Sequence, residues 1–221
     1  MVESLPDLEA YGRAIGPEPD DVIAEMDEKA DRKGFPTVGP AIGGWLSMLA
    51  RLVDARRVFE FGSGYGYSAY WFARELPADG EIVLTEVDAD ELDEAREYLD
   101  RGGFVDIARF EHGDAIDVID TYDGPFDAVL IDNEKHRYRE AFEAVRPKVA
   151  PGGVVVADNV VEGGTIEFET IMAYAEGADV SMNEMTAGIA DFLDTVAADP
   201  DFETTLLPFG EGLAVCHRVN E

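Results

Sequence analysis

Lysine is scarce in this sequence: Lys29, Lys33, Lys135 and Lys148 are the whole supply among 221 residues. All 17 Lys and Arg stand against 48 Asp and Glu, for a net charge of −31 at pH 7. A nucleic-acid surface needs clustered cations to neutralise phosphates, and an anionic membrane is docked by basic segments, so this balance argues against both partners. Cys216 is the single cysteine, which leaves no partner for an intrachain disulfide and makes a cytoplasmic setting the default. His112, His136 and His217 are too scattered to suggest a zinc site. The mostly apolar run Ala41 to Ala50 falls well short of the ~20 residues that a membrane-spanning helix needs. The amino terminus, Met1-Val-Glu-Ser-Leu-Pro-Asp7, has neither a basic start nor an apolar stretch and does not read as a signal peptide.

What the chain has is an ordinary globular composition, 46% hydrophobic, of a length that suits one domain with one sizeable core. The acidic residues are spread along it (Asp20-Asp21, Asp88 to Asp93, Asp117, Asp199, Asp201) and are not gathered in a tail. Such a surface repels itself at low salt and is relieved when salt screens it. A salt-rich cytoplasm, as in a halophile, is the preferred reading over a specific acidic function.

From Arg57 onward, short β-branched runs alternate with amphipathic stretches. Strands are predicted at Val58 to Phe61, Glu81 to Glu86, Ile107 to Glu111, Phe126 to Ile131 and Val154 to Ala157, the last released by Gly152-Gly153. Helices are predicted at about Tyr67 to Glu75, at Ala89 to Arg101, and over a stretch placing Tyr138, Phe142, Val145 and Val149 on one face. A helix around Ala187 to Ala198 then precedes two strands, Phe202 to Leu207 and Leu213 to Val219, joined by a glycine-containing hairpin loop. The pattern means a doubly wound α/β fold with a mostly parallel sheet and an antiparallel last strand. Pro19 to Lys33 and Ala41 to Val53 read as two helices outside the sheet, forming a lid. A ligand site belongs at the carboxyl ends of the strands, where strand order reverses.

The first strand runs into Glu60-Phe-Gly62-Ser63-Gly64-Tyr-Gly66-Tyr67-Ser68. These glycines allow a tight turn and close backbone approach to a ligand. A dinucleotide fingerprint wants a third glycine where Tyr67 stands, and a P-loop wants a lysine that is missing. The acidic-x-Gly-x-Gly-x-Gly pattern suits a ligand carrying an amino acid in place of a diphosphate; the plain alternative is a tight βα turn. Glu86, ending the second strand before Val87, can accept hydrogen bonds from both hydroxyls of an adenosine ribose. Gly113-Asp114-Ala115, past the third strand, would lie beside the adenine.

Two further strand ends carry oxygen ligands: Asp132 after the fourth, Asp158 and Asn159 after the fifth. Two carboxylates and an amide oxygen, without sulfur or imidazole, match a hard cation such as Mg²⁺ or Ca²⁺. The competing readings are a helix cap and a turn. Lys135 sits in the first turn of its helix, where the macrodipole disfavours a cation, so helix stability does not explain it. A metal beside it would favour the neutral amine as a general base; a surface pair with Glu134 or another carboxylate is the simpler alternative.

On these residues the chain resembles the cation-dependent O-methyltransferases, the catechol and caffeoyl-coenzyme A O-methyltransferase group of class I, over roughly Phe35 to Val219. Glu60 to Ser68 is similar to that family's cofactor loop, and Asp132-Asn-Glu-Lys135-His-Arg-Tyr138 to its aspartate-x-x-lysine-x-x-tyrosine motif. Thr186 to Phe192 and Leu207 to Leu213 are similar to its closing segments. The resemblance implies one domain over residues 1–221, with lid helices in 1–53 and a seven-stranded Rossmann-like core in 56–221. It implies S-adenosyl-L-methionine bound by Val38, Glu60, Gly62, Ser63, Gly64, Gly66, Tyr67, Ser68, Glu86, Val87, Asp114, Ala115, Asp132 and Glu134. Asp132, Asp158 and Asn159 become ligands of Mg²⁺ (or Ca²⁺ or Mn²⁺), Lys135 the catalytic base, and the assembly a homodimer. Two departures stand out. Glu134 occupies a place where relatives often carry aspartate or tryptophan. Glu162-Gly163-Gly164 brings no aromatic residue after Asp158-Asn159, so the acceptor pocket need not hold a flat catechol ring.

The expected activity is therefore cation-assisted methylation of a small hydroxylated, catechol-like acceptor. Rival readings are a tRNA hydroxyuridine-type O-methyltransferase of the same fold, a nicotinamide dehydrogenase, and a non-catalytic S-adenosylmethionine-binding protein. The missing basic patch, Tyr67 and Lys135 respectively count against them. The charge reading predicts that thermal unfolding shifts upward as KCl rises from low to molar concentration; equal stability at both ends would remove the salt explanation.

Overall fold

The computed structural model of the chain describes residues 5–219. Met1 to Ser4, on which much of the amino-terminal reading rests, and Asn220 and Glu221 lie outside the described residues. The chain opens with three helices, α1 (Leu5–Ile15), α2 (Asp21–Lys33) and α3 (Gly39–Leu52). The alternating part follows as β1 (Arg57–Phe61), α4 (Tyr67–Ala73), β2 (Glu81–Glu86), α5 (Ala89–Gly102), β3 (Ala108–His112), α6 (Ala115–Ile119) and β4 (Phe126–Ile131). Then come α7 (Tyr138–Val145), β5 (Val149–Ala157), α8 (Phe168–Ala175), α9 (Glu184–Ala198), β6 (Phe202–Leu207) and β7 (Leu213–Arg218).

The seven strands form one sheet in the order β3-β2-β1-β4-β5-β7-β6. Strands β1 to β5 pair in parallel, β7 lies antiparallel to β5, and β6 antiparallel to β7. This is the doubly wound, mostly parallel sheet with an antiparallel last strand that the sequence predicts. The chain leaves β1 toward one edge and returns at β4, so order reverses between β1 and β4 and a crevice opens beyond their carboxyl ends.

Helices cover both faces of the sheet's centre, which is why β4 and the second half of β5 are nearly continuous apolar runs, while the edge strands β3 and β6 carry exposed polar residues. Successive residues point to opposite faces. Val58, Leu130 and Val156 join Ile23, Met26, Ile42, Leu46 and Trp71 on one side. Phe59, Ile131 and Val155 join Ile119, Phe142 and Phe192 on the other. Several acidic residues serve the local structure, since Asp20, Asp88 and Asp114 cap α2, α5 and α6 through first-turn backbone N–H groups.

Three details depart from the sequence reading. Val149 does not continue the face of Tyr138 and Val145; α7 stops at Val145 because Pro147 lacks the N–H to continue it, and Val149 begins β5. Gly152-Gly153 lie inside β5, in a bulge where Phe126 pairs with Val149 but Ala128 pairs with Val154. Asn183 caps α9, so that helix starts at Glu184, ahead of the expected Ala187. Helices α1 and α8 were not legible in the sequence pattern. No described helix is long and apolar enough to cross a membrane.

Helix α3 packs on α4 through a close approach at Gly43, where a Cβ would lie 2.2 Å from Nε1 of the buried Trp71. Nearby, Ser47 Oγ donates to the Trp71 carbonyl at 2.9 Å. Gly43→Ala gains ~1 kcal/mol of helix propensity, whereas overpacking of this kind costs about 1–3 kcal/mol. Net destabilisation in urea unfolding, with altered tryptophan emission in the folded state, is the expected result.

Candidate active site

The loop after β1 is shaped by its glycines. Gly62 has φ 81° and Gly66 φ 82°, both in the left-handed region. A Cβ at Gly62 would stand 2.8 Å from the Asp132 carbonyl oxygen, and one at Gly66 2.9 Å from Ala95 Cβ. Thr85 ties β2 to the loop: its hydroxyl donates to the Glu60 carbonyl at 2.6 Å and its own carbonyl accepts from Ser63 N at 2.9 Å. Glu86 faces the same loop. Its Oε2 accepts from Gly64 N at 2.8 Å, and Oε1 accepts from Val87 N at 2.8 Å and Asp88 N at 3.0 Å. Two bonds fill Oε1 and one engages Oε2, so a single acceptor position remains, one short of the two ribose hydroxyls expected of Glu86.

Glu60 lies behind this loop, fully buried, and neither carboxylate oxygen has a hydrogen-bond partner among the described residues. Burial pushes its carboxyl up to about 8; the nearby Ser68 hydroxyl counteracts this, and the charges of Asp132 and Glu86 add to it. An unpartnered buried carboxyl is costly to the protein alone and suits a cationic donor brought by a ligand.

The backbone carries the pairing of the central strands one residue further: Asp132 N donates to Phe61 O at 2.9 Å, and Asp158 N to Ile131 O at 3.2 Å. Gly62, Asp132 and Asp158 thus come level at the sheet's edge. The Lys135 ammonium sits among them and uses three donors, to Asp132 Oδ1 at 2.7 Å, Tyr138 Oη at 2.7 Å and Asn159 Oδ1 at 2.5 Å. Tyr138 is fully buried, and its hydroxyl donates to the Asp158 carbonyl at 3.0 Å. Asp158 is buried too; burial first, and the charge of Asp132 second, push its carboxyl up to about 7. Burial likewise raises Asp132, against the lowering influence of Lys135. Lys135 does pair with a carboxylate, that of Asp132 and not of the exposed Glu134, and the pair is half-buried at the sheet's edge.

Two adjoining hollows run along this edge. The larger, about 750 Å³, takes in Val38, Ser63, Gly64, Tyr67, Ser68, Lys135, Asp158 and Asn159. The smaller, about 280 Å³, takes in Val87, Asp114, Ala115 and Glu134, and both share Gly62, Glu86 and Asp132. Of the residues expected to bind cofactor or cation or to act as base, only Glu60 and Gly66 lie behind these walls. Asp114 is also engaged elsewhere: it caps α6 through Ile116 N at 2.9 Å and pairs with Arg137 at 2.5 Å. The sequence reading missed Arg137, Phe35 and Glu211, which also line the hollows. A glycine on each side of Glu211 was the available signal.

The glycine cradle, the acceptor position on Glu86 and the unpartnered Glu60 suit a ligand with a hydroxylated sugar and an amino group. Asp132 and Asn159 turn hard oxygens to the Lys135 ammonium, with the Asp158 carboxylate alongside; this donor set fits a hard cation, which would take over contacts that Lys135 now makes. Among the described residues no group of three or more His, Cys, Asp and Glu is arranged for a metal, so the set consists of two carboxylates and an amide.

Residues 18–219 match the family model described as O-methyltransferase. A catechol O-methyltransferase of Niastella koreensis is 34% identical over 158 residues, covering 69% of this chain and 71% of that protein. A caffeoyl-CoA O-methyltransferase of Petroselinum crispum is 29% identical over 188 residues, covering 80% and 75%. Among solved structures, the O-methyltransferase TomG of Streptomyces achromogenes, involved in tomaymycin synthesis and solved with SAM, superposes with a TM-score of 0.85 over 100% of both chains at 27% identity. An O-methyltransferase of Bacillus cereus in complex with SAH gives 0.83 over 99% of this chain and 100% of that one, also at 27% identity.

Glu60 gives this site a measurable signature. Its carboxyl titrates near 4.5 when unfolded and is raised to about 8 when folded, so the folded state loses stability as pH climbs through that window. In the ligand-free protein, Glu60→Gln should flatten the fall in melting temperature between about pH 5 and 8 at fixed salt; a slope identical to the native chain's would contradict the burial assigned to Glu60.

Proposed function

This chain belongs to the O-methyltransferase family, whose members take their methyl group from S-adenosylmethionine, and we propose that it methylates a hydroxyl of a small catechol-like acceptor with the help of a divalent cation. The observation that carries this reading is the meeting of Asp132, Asn159 and Tyr138 on the Lys135 ammonium, with Asp158 alongside, in a hollow continuous with the glycine loop. The names of the catechol and caffeoyl-CoA relatives support the acceptor class.

S-adenosylmethionine supplies a methyl already activated on sulfur, and the cation (Mg²⁺, or Ca²⁺ or Mn²⁺) supplies Lewis acidity to a chelated hydroxyl. What remains for the protein is orientation and deprotonation. Asp132, Asp158 and Asn159 hold the cation. Glu86 receives a ribose hydroxyl on its remaining Oε2 position, Glu60 the amino group, and Val87, Asp114, Ala115 and Glu134 border the adenine. Lys135, once its ammonium has released one proton to solvent, would take the acceptor's proton at Nζ. Tyr138 steadies that amine while anchoring its own hydroxyl on the Asp158 carbonyl, so the base cannot swing out to solvent.

The same proposal includes a homodimer in a salt-rich cytoplasm. Met48 and Leu52 of α3 and Leu206 and Phe209 of the β6–β7 hairpin are exposed, and Phe209 stacks on Trp45 of α3, which supports one apolar surface shared by the two elements.

Lys135→Ala should keep S-adenosylmethionine affinity, measured by calorimetry, while losing about 10²-fold or more of catechol turnover. EDTA should abolish native turnover and Mg²⁺ restore it. Unchanged turnover in the variant removes Lys135 as the base, and turnover indifferent to EDTA removes the cation.

A further inference from the structure

Asn159 is the weakest member of the oxygen set: a neutral amide on a non-glycine residue at φ 56°, able in principle to turn its NH₂ where its oxygen should be. Its surroundings forbid that turn. On one side Oδ1 accepts from the Lys135 ammonium at 2.5 Å, and on the other Nδ2 donates to Glu211 Oε2. An ammonium only donates and a carboxylate only accepts, so a single amide orientation satisfies both. If Lys135 gives up its bond to Asn159 to act as a base, Glu211 is the contact left to hold the amide.

Glu211 is itself built in. Its carbonyl accepts from Val161 N at 3.0 Å and Glu162 N at 2.9 Å, and the next carbonyl, of Gly212, accepts from Val160 N at 3.0 Å. These bonds stitch the turn before β7 to the segment after β5. Gly163 leaves room for the carboxylate: a Cβ there would lie 2.4 Å from Glu211 Oε2 and 3.1 Å from Asn159 Cβ. A Cβ at Gly212 would meet Val161 Cγ2 at 2.3 Å, so the two segments are also in van der Waals register.

We propose that Glu211 is a positioning residue, which turns the Asn159 side-chain oxygen toward the cation held with Asp132 and Asp158 and thereby sets cation affinity. This rests on the cation reading given under the proposed function. It separates geometry from charge, because glutamine at this position keeps an acceptor oxygen for Asn159 Nδ2 and loses the negative charge, while leucine loses both.

The test is titration of the full-length purified chain with Mn²⁺ alone, following the electron paramagnetic resonance signal of free aqueous Mn²⁺. Glu211→Leu should weaken Mn²⁺ binding by about tenfold or more, the range typical when a group orienting a ligand is lost. Glu211→Gln should stay within a few-fold of the native chain. Glu211→Asp, which keeps the charge but draws the carboxylate back by one methylene from Asn159 Nδ2, should weaken binding as well, and it gives an independent reading should the leucine variant fail to fold. Native-like affinity in Glu211→Leu or in Glu211→Asp overturns the proposal, and so does a glutamine variant as weak as the leucine one, since charge alone would then be responsible. A native chain that takes up no Mn²⁺ overturns the cation reading itself, a separate and recognisable result.

Discussion

Asp132 and Asp158 end neighbouring parallel strands, so the sheet itself forces two carboxylates to one place, mostly away from water. Like charges held so cannot both remain ionised without a cation. Lys135 meets that demand in the structure, and the rest of the site is arranged around the same requirement. Tyr138 holds the amine from below, Asn159 adds a third oxygen, and burial of Asp158 keeps solvent from screening the pair. The site's position follows from topology. Hydrogen bonds running one residue beyond β1, β4 and β5 fix Gly62, Asp132 and Asp158 at a common level, and the reversal of strand order leaves the space beyond them open.

Much of this was legible in the sequence because strand ends in a doubly wound fold are predictable places. Once Phe126 to Ile131 and Val154 to Ala157 read as buried strands, Asp132 and Asp158-Asn159 had to be neighbours. The scarcity of lysine gave Lys135 weight that its helix position could not. What stayed hidden depends on contacts between distant segments. Asn159 meets Glu211 across 52 positions, and no local periodicity reports such a pair. Arg137 and Asp114, which close the smaller hollow, are likewise far apart in sequence. The misplacement of Val149 has another origin: helical spacing persists through Arg146-Pro147, but the proline ends hydrogen bonding, and an apolar residue just past a helix serves equally well at the start of a strand.

The acidic composition looks different once the structure is in view. Arg101 pairs with Glu25, Arg139 with Glu143 and Asp191, and Arg146 with both Asp199 and Asp201. Asp20, Asp88 and Asp114 cap helices, and Asp20 also accepts from the Tyr70 hydroxyl at 3.0 Å. Cations are thus largely committed to structural pairs that exposed geometry makes individually weak. The excess negative charge is left for the solvent's ions to screen.

Glu60 carries a thermodynamic consequence of its own. At neutral pH a carboxyl raised to about 8 is mostly protonated in the ligand-free chain, and under the proposed function it would become an anion when the cofactor's ammonium group arrives beside it. On that proposal a proton and the amine compete for one seat, and ligand uptake would eject hydrogen ions into the medium. The heat recorded on binding will therefore contain the ionisation enthalpy of whichever buffer catches them, and apparent affinity will climb with alkalinity until the seat empties unaided.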